Sequence, residues 1–534
     1  MRRSNFVLFG VVNPDTSVVL VAMPSETSKR YDDVPYESLP FEHSHPSWLA
    51  TVAALFGLSS PPPGGARILE LGCASGGNLI PLAEALPGSS CLGVDLSARQ
   101  IADGQALIAA TGLSNIELRQ ASILDIDASY GAFDYIICHG VYSWVTPDIQ
   151  QRILEICGNR LTPNGLAYIS YNTYPGWRMH GMLREMMQFH AGRFREPAQQ
   201  IAQSRALLEV LAKAVPSEGN PYGMLLKRES EHLRGCSDWY IYHEQLEETN
   251  DPVYFHEFIR RASSAGLEFV AESEVRSMLT SQFSEEVQAA LREVATNLIY
   301  AEQYMDFFRN RAFRESILCR RGAPLKRKLD AQCVRSFSFA SALRPFSKYG
   351  NLRQSEALHF EAPGYPSIDV VDPRGKAALL CLCEAWPRAL SFDELESAVR
   401  ARLELGAATD KSRAEFAELM WYWFLQQIVS ITVTSPNCVA KAGERPMGLA
   451  LARAQAKAGR TTLTNGLHRS VKLNSFDTAV LTLLDGTRDR TALVSQLAES
   501  GALHGETSAA DSEPLERRVN AALAVLAEAA LLRG

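Results

Sequence analysis

Between Arg67 and Asp95 the chain reads as a strand, a glycine turn, a helix and a second strand: ARILELG, the turn into GNLIPLAEAL, then SCLGVDLS. A short apolar run that stops at a glycine and restarts with helical spacing leaves few folds open. The alternation continues downstream. ARQIADGQALIAATG reads as a helix, NIELRQASI as a third strand, FDYIICHGV as a fourth, PDIQQRILEICGNRL as a helix and GLAYISYN as a fifth strand. Strands alternating with helices predict a doubly wound α/β sheet, mostly parallel, and their continuous apolar runs fit strands covered on both faces. Upstream, HPSWLATVAALFGLS has apolar residues at helical spacing, with Pro46 where a first turn tolerates it, and PPPGG ends that helix.

Open sheets of this kind bind ligands beyond the carboxyl ends of their strands. The first strand ends in Glu70-Leu71-Gly72-Cys73-Ala74-Ser75-Gly76-Gly77-Asn78. A dinucleotide site would use G-x-G-x-x-G to hold a pyrophosphate. The pattern present is E-x-G-x-x-x-G-G, whose carboxylate repels phosphate but suits the α-amino group of an amino-acid-like ligand. Gly72 lets the backbone turn close to that ligand, and Gly76 and Gly77 remove side chains where the helix start faces it. Asp95, ending the second strand, is placed to accept from ribose hydroxyls. Acid, glycine turn and second acid point to S-adenosylmethionine (SAM) rather than NAD; a glycine-rich turn in an unrelated α/β enzyme is the competing reading. Asn78 and Leu96 flank the cradle and are counted with it. Ser122 and Ile123 stand where many enzymes of this class carry an acid for the adenine amine, with Asp125 three residues on. Ser122 can substitute through hydrogen bonding. His139, after the fourth strand, is the last cofactor-side residue in the set. No metal is expected.

The acceptor side is read from His139-Gly140-Val141-Tyr142-Ser143-Trp144 and from Ser170-Tyr171-Asn172-Thr173-Tyr174-Pro175-Gly176-Trp177. Both stretches sit at strand ends beside the cofactor. Tyr142, Trp144, Asn172 and Tyr174 are the residues expected to line an acceptor channel. Aromatic faces attract a sulfonium or an ammonium, and an apolar surround depresses the pKa of an amine that must lose its proton. Core packing is the alternative role for each aromatic. No [DNS]-P-P-[FYW] motif follows the fourth strand, which argues against a nucleobase acceptor.

The formal net charge of −7 offers nothing to attract nucleic acid. The basic stretch from Arg309 to Lys328 reads as a solvated helix end and linker. Ten cysteines are scattered through the chain, several in apolar runs. This is the usage of free thiols in a reducing compartment, so a cytoplasmic location is expected. Cys381-x-Cys383 lacks a second Cys/His pair at zinc spacing. No apolar run approaches the ~18–20 residues that span a bilayer. Residues 1–30 carry two arginines ahead of an apolar stretch broken by Asn13, Pro14 and Asp15. They read as a hairpin or a disordered tail, with Met23 as an alternative start.

YDDVPYESLPFEHSHP (Tyr31–Pro46), ILELGCASGGNLIPLA, HGVYSWV and SYNTYPGW together resemble the bacterial protein-lysine methyltransferase family known from rickettsiae. YIYHEQLEETNDPVYFHEFIRRASSAGLEFVAES (Tyr240–Ser273) and EQYMDFFRNRAFRESILC (302–319) resemble that family's regulatory domain. The resemblance implies a Rossmann-like SAM-binding domain at 31–195, a mostly helical regulatory domain at 196–330, a winged-helix-like domain at 331–440 and a small helical domain at 441–534, with a polar loop at 501–514. It also implies a protein substrate methylated on lysine. Tyr36 and His45 are expected to close over the cofactor, with helix capping the other role for His45. HEQLE at His243 lacks the second histidine of a zinc-protease motif. The acids Glu244, Glu247, Glu248 and Asp251 read as a solvated helix end. A small-molecule or lipid methyltransferase and a SAM-sensing scaffold are the competing functions; oligomeric state is not legible.

Overall fold

The computed structural model describes residues 34–348, 350–499 and 514–534. The readings made of residues 1–30, and of the polar loop at 501–514 but for its last residue, lie outside the described residues. Helix α1 (Pro46–Leu55) starts where expected: Pro46 occupies its first turn, and His45 is its N-cap, Nδ1 accepting from the Ser47 N–H at 3.1 Å.

Strands β1 (Arg67–Leu71), β2 (Ser90–Asp95), β3 (Ile116–Gln120), β4 (Phe133–Cys138) and β5 (Leu161–Asn172) are the five predicted ones. Between them run α2 (Leu79–Ala85), α3 (Ala98–Thr111) and α4 (Pro147–Arg160). Ser97 caps α3 by accepting from the Gln100 N–H, and Gly112 ends it in the left-handed conformation. Three helices follow, α5 (Trp177–Ala191), α6 (Pro197–Ala214) and α7 (Pro221–Gly235). They form a side unit whose core includes Leu183, Met187, Leu208 and Leu226. Then come α8 (Phe255–Ser264), β6 (Leu267–Glu272), α9 (Glu285–Val294), α10 (Leu298–Arg309) and β7 (Phe313–Arg320).

The sheet has seven strands in the order β3-β2-β1-β4-β5-β7-β6. β1 to β5 pair in parallel, and β7 runs antiparallel to both β5 and β6. The reading of 196–330 as mostly helical therefore misses two strands, and a division at residue 195 cuts through the sheet. The reason is visible in β7, FRESILCR: Arg314 and Ser316 are fully buried, so polar residues occupy positions the apolar pattern would need. The same residues correct the reading of Arg309–Lys328 as a solvated helix end.

Successive residues on the strands serve opposite faces, as a period of two requires. Ile68, Tyr135, Ile137, Leu166, Tyr168 and Ile317 face one side with α1 and α2. Leu69, Ile136, Cys138, Ala167, Ile169 and Leu318 face the other with α4 and α8. The first face is continuous with the core of the next unit, which contains two three-stranded sheets and three helices, Pro373–Ala385, Phe392–Arg402 and Asp410–Leu425. The C-terminal unit has its own core, built on Leu481, Leu493, Leu523 and Leu526. Among the described residues no helix is long and apolar enough to cross a membrane.

Candidate cofactor and acceptor site

The turn after β1 is shaped by glycine. Gly72 has φ 72°, and a Cβ there would lie 2.4 Å from Val141 Cγ2, so the turn nests against the loop after β4. Gly77 is needed for another reason than the one read from sequence. A Cβ on it would meet the Ser38 carbonyl oxygen at 2.0 Å. Its N–H donates to Ser38 Oγ at 2.8 Å, so the space belongs to the segment crossing from residue 34 toward α1.

Glu70 ends β1 in a fully enclosed position, 4% exposed. Its Oε1 accepts from Asn78 Nδ2 at 2.7 Å. Its Oε2 is buried with no hydrogen-bond partner. Burial pushes its carboxyl up to about 8, opposed by the Asn78 hydrogen bond and reinforced by the charge of Asp95. A buried carboxylate oxygen without a donor is costly, and a cationic amino group is the ligand chemistry that would remove that cost.

At the end of β2, Asp95 Oδ2 accepts from the Ala74 N–H at 2.8 Å and Oδ1 from the Ser97 N–H at 2.9 Å. These bonds lock the carboxylate at the strand end; a carboxylate offers roughly four acceptor directions, enough to serve ribose hydroxyls as well. Leu96 beside it is 40% exposed. Ser122 and Ile123 sit at the neighbouring strand end, and Ser122 forms a capping box with Asp125: its Oγ accepts from the Leu124 N–H, and its own N–H donates to Asp125 Oδ2. Asp125 is thereby turned back onto Ser122.

His139 lies under the ring of Phe41, with centroids 3.6 Å apart. Its Nδ1 is 2.9 Å from Tyr168 Oη, which donates to Glu315 Oε1 at 2.8 Å, and Glu315 Oε2 meets His43 Nδ1 at 2.8 Å. Because the single Tyr168 proton goes to the carboxylate, His139 must donate from Nδ1. Burial holds His139 down at about 4, so the ring is neutral near pH 7.

Tyr36 packs edge-on to Trp239 at 4.7 Å, and its carbonyl accepts from Gln100 Nε2. The crossing segment is therefore tied to α3 as well as to the glycine turn. His45 has the capping role described above, and its ring packs edge-on to His468.

On the acceptor side the predicted residues part company. Tyr142 is fully buried in the core, edge-on to Phe258 and Tyr171, and lines no channel. Trp144 is half-buried and packs against Trp177 at 6.1 Å, with the Arg184 guanidinium over it at 5.1 Å. Tyr174 is half-buried beneath Arg178 at 4.0 Å and beside Tyr254. Asn172 is buried; its N–H donates to Ser143 Oγ at 2.9 Å and its carbonyl accepts from the Val253 N–H. Its Nδ2 and the Nε1 of Trp177 are buried donors with no partner.

Sequence reading missed Arg184 and misread the acids. Arg184 donates to the carbonyls of Glu244 and Glu247. Those residues are no solvated helix end. Ile241–Gln245 is a π-helical turn, Glu247 is buried, and burial pushes Glu244 up to about 7. His243 hydrogen-bonds the Val34 carbonyl through Nε2. An arginine inside the apolar run MLREMM was the available signal for a buried charge.

The chain is similar to known proteins along most of its length. A methyltransferase domain model matches residues 69–167, a predicted methyltransferase regulatory domain matches 237–320, and the C-terminal winged helix domain of PKMT matches 444–531. An uncharacterized protein of Rickettsia prowazekii is 35% identical over 470 residues, 87% of this chain and 84% of its own. A second protein of that organism is 45% identical over 241 residues, 45% of this chain and 96% of its own. The structure of PKMT2 from Rickettsia typhi in complex with AdoHcy aligns with a TM-score of 0.84 at 31% identity, over 94% of this chain and 100% of that one. Fold and site thus define a SAM-dependent methyltransferase. The chain belongs to the rickettsial-type family of protein-lysine methyltransferases. The winged helix falls in the unit read from sequence as small and helical, because its short strands Thr462–Thr464 and Ser470–Lys472 carry little apolar signal.

Proposed function

We propose that the protein transfers methyl groups from SAM to lysine side chains of a protein substrate, working in the cytoplasm. The observation that carries the cofactor half is the partnerless buried oxygen of Glu70, which suits the α-ammonium of SAM. Gly72 and Gly76 bring backbone close to the methionine part, Asn78 fixes Glu70, and Asp95 takes the ribose. Leu96, Ser122 and Ile123 bound the adenine side, with His139 at the floor. Bound there, the cofactor supplies an electrophilic methyl group on a sulfonium.

Trp144, Asn172 and Tyr174 hold the acceptor, with Trp177 added and Tyr142 acting from beneath by packing. The lone donors Asn172 Nδ2 and Trp177 Nε1 suit carbonyl oxygens of a peptide flanking the lysine. Methyl transfer needs an in-line approach of the amine, so positioning carries much of the rate. A free lysine has a pKa of about 10.4, and the aromatic surround favours its neutral form. The cytoplasmic assignment is supported by all ten cysteines being free.

The test is incubation with methyl-labelled SAM and cell lysate. Label on a protein band that survives as methyl-lysine after hydrolysis is the expected result. Label recovered only in the organic extract would move the acceptor to a lipid or small molecule. Trp144→Ala is expected to lower turnover by about tenfold or more while leaving SAM affinity within about twofold, since it removes positioning rather than cofactor contacts. Equal turnover would return Trp144 to a packing role.

A further inference from the structure

The C-terminal winged helix reaches the cofactor carboxylate through one side chain. His468 sits at the tip of the hairpin joining Thr462–Thr464 to Ser470–Lys472, and its Nε2 lies 2.7 Å from Asn78 Oδ1. His468, Asn78 and Glu70 are all at most 4% exposed. Asn78 Oδ1 also takes the Phe41 N–H at 2.9 Å and the Ser44 hydroxyl at 3.2 Å. A backbone N–H can only donate, so the oxygen of the amide is the atom facing Phe41, and His468 must donate to it as well. The amide nitrogen then points to Glu70 Oε1 and leaves Oε2 buried without a partner.

The hairpin is built to hold this contact. His468 takes a left-handed backbone, φ 60°, which a residue of its kind adopts only when its surroundings enforce it. Asn465 enforces it: its Oδ1 accepts from the N–H groups of Leu467 and Arg469, and its Nδ2 donates to the Ala529 carbonyl. The Gly466 N–H donates to the Ala530 carbonyl, so the end of the last helix carries the tip. Docking comes from two further acids, Glu42 and Glu84. Arg469 pairs with Glu42 at 2.5 Å. Glu84 on α2 accepts from the N–H groups of Ala450 and Leu451 at 2.6 and 3.1 Å, capping the helix Ala450–Lys457.

We propose that the winged helix is part of the cofactor site, with His468 a positioning residue that sets the Asn78 amide and, through it, the Glu70 carboxylate for SAM. This rests on the reading that Glu70 holds the amino group of SAM. Loss of the C-terminal unit's grip is then felt as loss of cofactor affinity, some four hundred residues away in sequence from the strand that holds it.

Isothermal titration of SAM into the full-length protein tests the assignment. His468→Leu is expected to raise the SAM Kd about tenfold, the cost of one buried hydrogen bond. His468→Gln, whose amide can still donate, is expected to stay within about threefold. In an Asn78→Ala background His468→Leu is expected to add nothing, because its route is gone. A wild-type Kd for His468→Leu, or additive losses in the double variant, would overturn the proposal. Should His468→Leu fail to fold, the pair His468→Gln and His468→Asn carries the same comparison, since the asparagine amide is too short to reach Asn78. Glu70→Gln is run alongside. If it weakens SAM while His468→Leu does not, only this inference fails; if it binds SAM as the wild type does, the reading of Glu70 fails first.

Discussion

Replacing Glu70 with glutamine is expected to raise the SAM Kd about a hundredfold, roughly 2.7 kcal/mol. The side chain keeps its shape and can still meet Asn78, but the oxygen left without a partner loses its charge or is replaced by an NH₂ group. An ammonium then faces a neutral amide in a site closed to water, where charge-assisted bonds are worth roughly twice neutral ones. Titration calorimetry reads the change, and an unchanged Kd would remove Glu70 from the cofactor site. A pH dependence follows with a definite sign. Burial raises the Glu70 carboxyl to about 8 in the ligand-free protein. At pH 7 the group is mostly protonated, and a cationic ligand must expel that proton. SAM affinity is expected to climb as pH rises from about 6 toward about 8, the range over which the Glu70 carboxyl gives up its proton. Binding at pH 7 should release a proton, seen as a dependence of the measured enthalpy on the buffer's ionisation heat.

The largest effect on stability is expected at Arg314. It is the second residue of β7, fully buried, with Glu272 at 2.8 Å, Glu302 at 3.1 Å and Asp306 at 2.8 Å, and its guanidinium stacks on Phe255 at 3.8 Å. Arg311 also reaches Glu272, at 3.0 Å. Burial pushes Glu302 up to about 7, whereas the two arginines hold Glu272 below the usual carboxylate range in spite of its burial. Arg314→Ala leaves these acids without their shared cation, a loss of about 3–5 kcal/mol. Arg314→Lys is expected to recover little, since an ammonium cannot address three carboxylates in the plane that a guanidinium does. Denaturant unfolding monitored by circular dichroism checks both, and a midpoint within error of the wild type for Arg314→Ala would show that the acids relax or protonate at no cost.

This cluster also explains where the sequence stopped being readable. β1, β4 and β5 were legible because each carries an apolar run covered on two faces, and the period-two split into Ile68 and Leu69, or Tyr135 and Ile136, is what those runs become; β3, at the sheet edge, buries only Leu118. β7 hid because Arg314 and Ser316 are buried and Glu315 half-buried, polar groups whose partners, Glu272, Glu302 and Tyr168, come from elsewhere in the chain. Periodicity sees only near neighbours. The places of Glu70 and Asp95 near the carboxyl ends of β1 and β2 were legible because those strands pair in register, Glu70 opposite Gly93 on β2. Gly77 was misassigned because its true neighbour, Ser38, lies thirty-nine residues upstream. Tyr142 was misplaced because its position after β4 fits either an open channel or the core, and only its packing on Phe258 decides. His468 could not have been found at all, being joined to Asn78 by folding alone across 390 positions.

The segment that matches a regulatory domain, 237–320, contributes β6 and β7 to the catalytic sheet. Seven consecutive residues of β5, Leu166–Asn172, pair with β7. A chain ended before β6 would present that row of unpaired backbone to any other strand, the condition that drives edge-to-edge aggregation. Limited proteolysis in the stretch between α7 and β6 would accordingly give a nicked enzyme that stays whole under native conditions and separates only on unfolding. A fusion or recombination event that exchanged this segment between relatives would have to exchange two of the sheet's seven strands with it, so the two parts are bound to be inherited together.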